Sequence, residues 1–236
     1  MDIPSLRRET RYGMPAADHI LFNRHYVLGY SYYFRQAKWA LEIVDSANEV
    51  ERSDNFRPDY RIPEMFRADL EDYVNSGLDR GHLVASANQR SVELNNSETF
   101  LLSNMAPQEP DFNRGIWKEL EESVRDLNEK KRILETYVIC GPIFHFDKPV
   151  EFIGKGTANE ISVLVPNAFF KSVLAENNKG RLQMWSFIFP NKKADKPLED
   201  YRVATTKVEQ YAGIQLWNRL EGAKMTAEKK RVRKLW

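Results

Sequence analysis

Cysteine is almost missing from this chain: Cys140 is the only one among 236 residues. A single thiol excludes an internal disulfide framework and any zinc site built on several cysteines. An excess of charge is missing too, with 35 Lys and Arg against 34 Asp and Glu and a formal net charge of +1. That balance excludes a protein that binds polyanions by being basic all over, so any affinity for nucleic acid has to come from a local arrangement of charge. No run approaches the roughly 18 apolar residues of a membrane helix. The longest candidates, such as Ile161–Val165, have the length of a strand. No apolar segment follows the charged opening Arg7, Arg8, Glu9 and Arg11, which therefore does not read as a secretory signal. The expectation is a soluble chain with no membrane partner, cytoplasmic as it stands. A leader already removed (secreted, periplasmic or mitochondrial) stays open.

What is present is enough apolar matter for a sizeable core, 42% hydrophobic and 12% aromatic residues. At about 150 residues per domain, the length suits one large domain or two small ones. Strand-like runs recur between turn signals. His25–Phe34 and Lys38–Val44 flank a short polar link, Arg35–Ala37, and predict a hairpin. Tyr137–Cys140 is an apolar run stopped by Gly141-Pro142, and Ile161–Val165, Ala168–Leu174 and Leu182–Phe189 continue the pattern. Helical spacing predicts one long helix over Asn113–Asn128, with Ile116, Trp117, Leu120, Val124 and Leu127 on one stripe and Asp111 as its N-cap. A shorter helix, Thr205–Tyr211, ends at Gly213. Helices that do not alternate regularly with strands give an α+β class. The tail Lys229–Trp236 holds five positive charges and no acid, equally suited to a solvated end and to a phosphate-binding arm.

Four histidines are candidates for chemistry, and three of them, His19, His25 and His145, read best as packed or surface residues. His82 differs, because Gly77, Asp79, Arg80 and Gly81 surround it. A general base near neutral pH calls for an imidazole, and an arginine beside it suits a phosphate. On the predicted long helix, Asn113, Trp117, Glu121 and Arg125 stand four residues apart and drift by about 40° per step. That ladder would present an amide oxygen, a carboxylate and a guanidinium to one cleft; the plainer alternative is a surface helix with a Glu121–Arg125 ion pair. The loop Arg52-Ser-Asp-Asn-Phe-Arg-Pro-Asp59 alternates charges, turn formers and an aromatic.

The order of these pieces carries more than any one of them. The Arg52–Asp59 loop comes first, then Asp79-Arg-Gly-His82, Asn104-Met-Ala-Pro-Gln108, and Asn113-x3-Trp117-x2-Leu120-Glu121-x3-Arg125. Together they resemble the DNA/RNA non-specific endonuclease family, the ββα-metal nucleases of the endonuclease G type. Arg11-Tyr-Gly-Met-Pro15, the Tyr26–Trp39 hairpin, Gly141-Pro142 and Val165-Pro166-x2-Phe169-Phe170-Lys171 look like further landmarks of that family. The likeness runs from about residue 11 to about 220 of a single nuclease domain spanning 1–236, with a basic tail over 224–236.

The resemblance implies a central, mostly antiparallel sheet with flanking helices and a ββα-metal motif. It implies hydrolysis of DNA and RNA phosphodiesters with little sequence preference. His82 would be the general base and Asn113 the one protein ligand of Mg²⁺, with Mn²⁺ as a substitute. Magnesium favours oxygen donors and keeps several waters, so one amide oxygen suffices. Glu121 would orient water around the metal, while Arg52, Arg80 and Arg125 would neutralise phosphate oxygens and Arg57 could share that work. Asp79, Asn104 and Gln108 read as scaffold. Arg52, Arg57, Arg80, Arg90, Arg114 and Arg125 are the candidates for a basic stripe. The family resemblance also admits a homodimer and an inhibitor or immunity protein as partners. The competing reading is a catalytically silent nucleic-acid-binding or regulatory module of the same fold.

Overall fold

The two apolar runs at the start of the chain fold back on each other, as their composition predicts. In the computed structural model, which describes residues 7–147, 149–154 and 162–236, β1 (His19–Phe22) pairs antiparallel with β2 (Tyr26–Ser31), and β2 with β3 (Gln36–Ile43). The reversal falls on residues 32–35 rather than 35–37, with Arg35 left-handed at φ +56°. Next, β4 (Asp79–His82) and β5 (Met105–Gln108) form an antiparallel ribbon, with α1 (Glu93–Glu98) between them in sequence. A single turn α2 (Pro110–Phe112), a π-helical turn over Asn113–Trp117 and α3 (Lys118–Asn128) follow. Ribbon plus helix make the expected ββα unit.

The rest of the chain completes the architecture. In order come β6 (Ile133–Ile143), β7 (Phe152–Ile153), β8 (Val163–Leu164), β9 (Ala168–Asn177), β10 (Leu182–Pro190), β11 (Arg202–Val203), α4 (Thr205–Ala212) and α5 (Ala223–Lys229). Seven strands form one antiparallel sheet in the order β1-β2-β3-β6-β9-β10-β11, while β7 and β8 pair separately. The fold is α+β, with a large antiparallel sheet and few helices. Of the strand expected over Ile161–Val165, Ile161 lies outside the described residues.

Both faces of the sheet are covered, which explains why its central strands read as continuous apolar runs rather than alternating ones. One face packs Val138, Cys140, Phe169 and Val173 against Trp117 and the α3 stripe Leu120, Val124 and Leu127. The other packs Trp39, Leu41, Ile139, Phe170 and Leu174 against Val208 of α4 and Ile214, Leu216 and Trp217 beyond it. Gly141-Pro142 does not stop the strand. Pairing with β3 ends at Cys140, and β6 continues against β9 alone as far as Ile143. A proline lacks an N–H to donate, so it is tolerated where a strand has lost one neighbour. Gly141 is needed there, because a Cβ would stand 2.3 Å from the Lys38 carbonyl oxygen.

Two helix boundaries also differ from expectation. The N-cap of the first turn is Glu109, whose side chain accepts from the Phe112 N–H, with Pro110 at the first helical position. Asp111 instead lies 3.6 Å from Lys193. The predicted long helix is broken: regular α-helix begins at Lys118, and Gly115 within the π turn has φ −99° and ψ −112°. α4 ends as its sequence predicts, at Gly213 with φ +64°. The basic tail is neither frayed nor free. The Trp236 indole donates to the Ser123 carbonyl on α3, the Trp185 indole donates to Lys234, and Arg233 makes a two-pronged ion pair with Glu228. Among the described residues no helix is long and apolar enough to cross a membrane.

Candidate active site

Strand β4 and the π turn are stitched together at both ends. Asn113, first in the turn, donates its Nδ2 to Asp79 Oδ2 at 2.8 Å. Trp117, last in the turn, donates its indole N–H to the His82 carbonyl at 3.2 Å. The two ends of β4 are therefore held by the two ends of the turn, and the expected α-helical ladder does not exist in that form. A π turn places side chains at a wider spacing than an α-helix, and such turns recur at functional sites. The result is that His82 and Asn113 line one cavity of about 380 Å³ together with Arg52, Ser86, Arg90, Arg114, Lys118, Glu121 and Arg125.

His82 lines this cavity with an uncharged imidazole. Its Nε2 is buried without a hydrogen-bond partner, and the ring packs edge-on against Phe100 and Phe56 with centroids 4.9 and 5.8 Å away. The accessible nitrogen is Nδ1. Burial first, and the Arg52 guanidinium second, push the imidazole down to about 3.

Asn113 is oriented by its neighbour. Asp79 also takes both prongs of Arg114, at 2.9 and 2.7 Å, and these bonds hold its carboxyl below the usual range against the opposing effect of burial. With its N–H engaged by Asp79, the amide keeps its carbonyl oxygen for a ligand. Among the described residues, no three His, Cys, Asp or Glu side chains gather where a metal could sit. The donor set therefore fits a hard, largely hydrated cation held by one amide oxygen, and does not fit zinc.

Glu121 is set deep, and burial raises its pKa while Lys171 and Arg125 oppose the rise. Its partner is Lys171, whose Nζ is 3.4 Å from Oε1 and 4.1 Å from the Trp117 ring centroid. The alternative Glu121–Arg125 ion pair is not what forms; Arg125 donates to Asn88 Oδ1 at 3.1 Å. Behind them Glu42, 1% exposed, accepts from Asn88 and Gln89, and burial pushes it up to about 7.

Two arginines sit elsewhere than the sequence suggests. Arg57 donates to the Asn55 and Ser97 carbonyls, and its backbone bridges to Leu101, so its guanidinium is spent on holding the loop. Arg80 stacks on Phe56, 4.2 Å from the ring centroid, and lines a neighbouring cleft of about 220 Å³ with Tyr73, Leu78 and Asp79. Arg52, Arg90, Arg114 and Arg125 do converge, and Lys118 joins them. Asn104 is scaffold as expected: its amide closes on both backbone groups of Val84.

Sequence reasoning missed Glu42, Asn88 and Lys118 altogether and took Lys171 only as a landmark. A signal was available for two of them. Glu42 in Trp39-Ala-Leu-Glu-Ile43 and Lys171 in Phe169-Phe-Lys-Ser-Val173 are single charges inside apolar strands, where an unpaired charge is rarely tolerated.

Comparison with known proteins identifies the family. Residues 5–223 match the family model for DNA/RNA non-specific endonucleases. A nuclease of Syncephalastrum racemosum is 36% identical over 231 residues, covering 89% of this chain and 70% of its own. Human mitochondrial endonuclease G is 32% identical over 213 residues, covering 86% and 71%. A solved chain from a crystal structure of an EndoG/EndoGI complex superposes with a TM-score of 0.83 at 34% identity, covering 94% of this chain and 95% of that one. With the ββα unit, the shared His82–Asn113 cavity and a match over most of its length, the chain is a hydrolytic nuclease belonging to the DNA/RNA non-specific endonuclease family.

Proposed function

We propose that this nuclease is a magnesium-dependent endonuclease that hydrolyses internal phosphodiester bonds of DNA and RNA with little sequence preference. The observation that carries the reading is the cavity itself: the open Nδ1 of His82 and the carboxamide of Asn113 share a chamber walled by five cationic side chains. The guanidinium and ammonium groups of that wall suit phosphate oxygens of either nucleic acid.

In the proposed reaction a water oxygen attacks phosphorus, its proton passes to His82 Nδ1, and the bond from phosphorus to the 3′-oxygen breaks, the leaving oxygen taking a proton from a second water. A neutral imidazole is ready to accept that proton, and the phosphodiester anion entering beside it favours the imidazolium that results. Arg52 and Arg125, both in the cavity wall, would neutralise the charge that builds on the non-bridging oxygens. Glu121, tied to Lys171, orients water by accepting its hydrogen bond. Asn113 would hold a divalent cation on its carbonyl oxygen, and that cation would supply Lewis-acid stabilisation of the developing charge. Arg80 lines the neighbouring cleft, which supports a role for it on a flanking phosphate rather than the reacting one.

An inhibitor protein is part of the same proposal, since the solved relative comes from an EndoG/EndoGI complex in which EndoG is inhibited; an acidic surface would complement this cavity. The test of the reaction uses plasmid and RNA with Mg²⁺, with Mg²⁺ plus EDTA, and with His82→Ala. Removal of a general base is expected to cost about 100-fold or more, and the chelator to abolish hydrolysis. Cleavage that survives both treatments overturns the reading.

A further inference from the structure

Asn88 makes two contacts that leave its side-chain amide one orientation. Its Nδ2 donates to Glu42 Oε1 at 2.9 Å, and its Oδ1 accepts from an Arg125 terminal nitrogen at 3.1 Å. A guanidinium can only donate, so turning the amide over would set two donors against each other and break the Arg125 bond. Gln89 holds the other carboxylate oxygen, donating its Nε2 to Glu42 Oε2 at 3.1 Å. Glu42 itself does not reach the cavity, yet Arg125 does. Among the described residues the Asn88 bond is the only hydrogen bond of the Arg125 side chain.

The same device stands on the other side of the site. There Asp79 takes the Asn113 N–H and leaves the amide oxygen for a cation. In each case a carboxylate set back from the chemistry accepts an asparagine N–H and so leaves the amide oxygen turned away from it: the Asn88 oxygen takes Arg125, and the Asn113 oxygen is left for a ligand. We propose that Glu42 is a positioning residue for phosphodiester hydrolysis, holding the Arg125 guanidinium at the cavity wall through Asn88. An arginine without that anchor would have to give up its rotamer freedom each time substrate binds, and the loss would appear in KM.

The proposal rests on the nuclease reading, and the two fail separately. A wild-type protein that hydrolyses nothing with Mg²⁺ sinks the reading of the site. Normal wild-type hydrolysis with the wrong mutant pattern sinks only the role of Glu42. The experiment is a pair of double-mutant cycles on a short oligonucleotide substrate: Glu42→Gln and Asn88→Ala, each in the wild-type and the Arg125→Ala background. Each single change is expected to lower kcat/KM about tenfold, carried by KM, as expected for a hydrogen bond to a charged group. In the Arg125→Ala background neither should lower it further, because the residue they act through is gone. A merely architectural role predicts additive losses. Additive losses, an unchanged KM in the wild-type background, or loss of the native circular-dichroism spectrum in both single variants overturns the proposal.

Discussion

His82 loses its charge to burial before the Arg52 guanidinium adds its share, and that order has a consequence for stability as well as for chemistry. Its folded pKa of about 3 lies below the ordinary value near 6.5. Between those two limits the unfolded chain binds a proton that the native state does not. The contribution to stability is therefore fully present above about pH 6.5 and is lost as pH falls toward 3. Thermal midpoints of wild type and His82→Asn, measured from pH 3 to 8, should differ in slope across that window: the wild type falls more steeply on acidification. Parallel curves would mean that the imidazole is not buried uncharged. Asp79-Arg-Gly-His82 shows in the sequence where such a base lies, but not that Asp79 turns the Asn113 amide. That function belongs to a hydrogen bond between residues 34 apart in the chain, and no local pattern encodes it. Glu42 and Lys171 were legible as anomalies, since charges in apolar strands need partners, although the identity of those partners depends on which strands become neighbours.

The ribbon that carries His82 is packed as closely as the core. A Cβ on Gly81 would lie 2.0 Å from Gln108 Oε1 and 2.1 Å from its Cδ, and Gln108 is fully buried across the β4–β5 pair. Gly81→Ala is expected to cost about 1–3 kcal/mol, the usual penalty for an overfilled site, and to lower the thermal midpoint. Gln108→Ala in the same chain removes the obstructing atoms, so the double variant should recover most of that loss in a thermal melt. Failure to recover would place the strain in the β4 backbone rather than at the Gln108 side chain. The hydrophobic period located the α3 segment well, because Leu120, Val124 and Leu127 do face the sheet. It could not reveal the π turn before it, where Ile116 and Trp117 keep their burial while Gly115 breaks the regular dihedrals. Burial alone carries no record of how many residues close a turn. Gly141-Pro142 misleads for a similar reason: a breaker in an isolated strand is harmless at a place where one neighbour has already left the ladder.

At the scale of the whole molecule, the near-zero net charge and the affinity for a polyanion are reconciled by where the charges fall. Arg52, Arg90, Arg114, Lys118 and Arg125 share one cavity with Glu121 as the acid among them, while acids elsewhere bring the total to +1. The tail looks like a rival binding arm in sequence, but three of its charges are occupied, Lys229 by Glu209 and both Arg231 and Arg233 by Glu228, and its end is pinned to the sheet and to α3 through Trp185 and Trp236. Lys118 and Lys230 therefore separate the two surfaces, one at the cavity and one on the exposed side of the tail. Binding of an oligonucleotide should be measured by fluorescence anisotropy in EDTA, where hydrolysis is stopped, over a range of salt concentrations. Each phosphate neutralised contributes about 0.7–0.9 to the slope of log affinity against log salt. A cavity with five cations therefore caps that slope near about four. Lys118→Ala should flatten it by about one and weaken binding to DNA and RNA alike, whereas Lys230→Ala should leave both affinity and slope unchanged. A flatter slope from Lys230→Ala, with none from Lys118→Ala, would move the polyanion track off the His82 cavity and onto the tail.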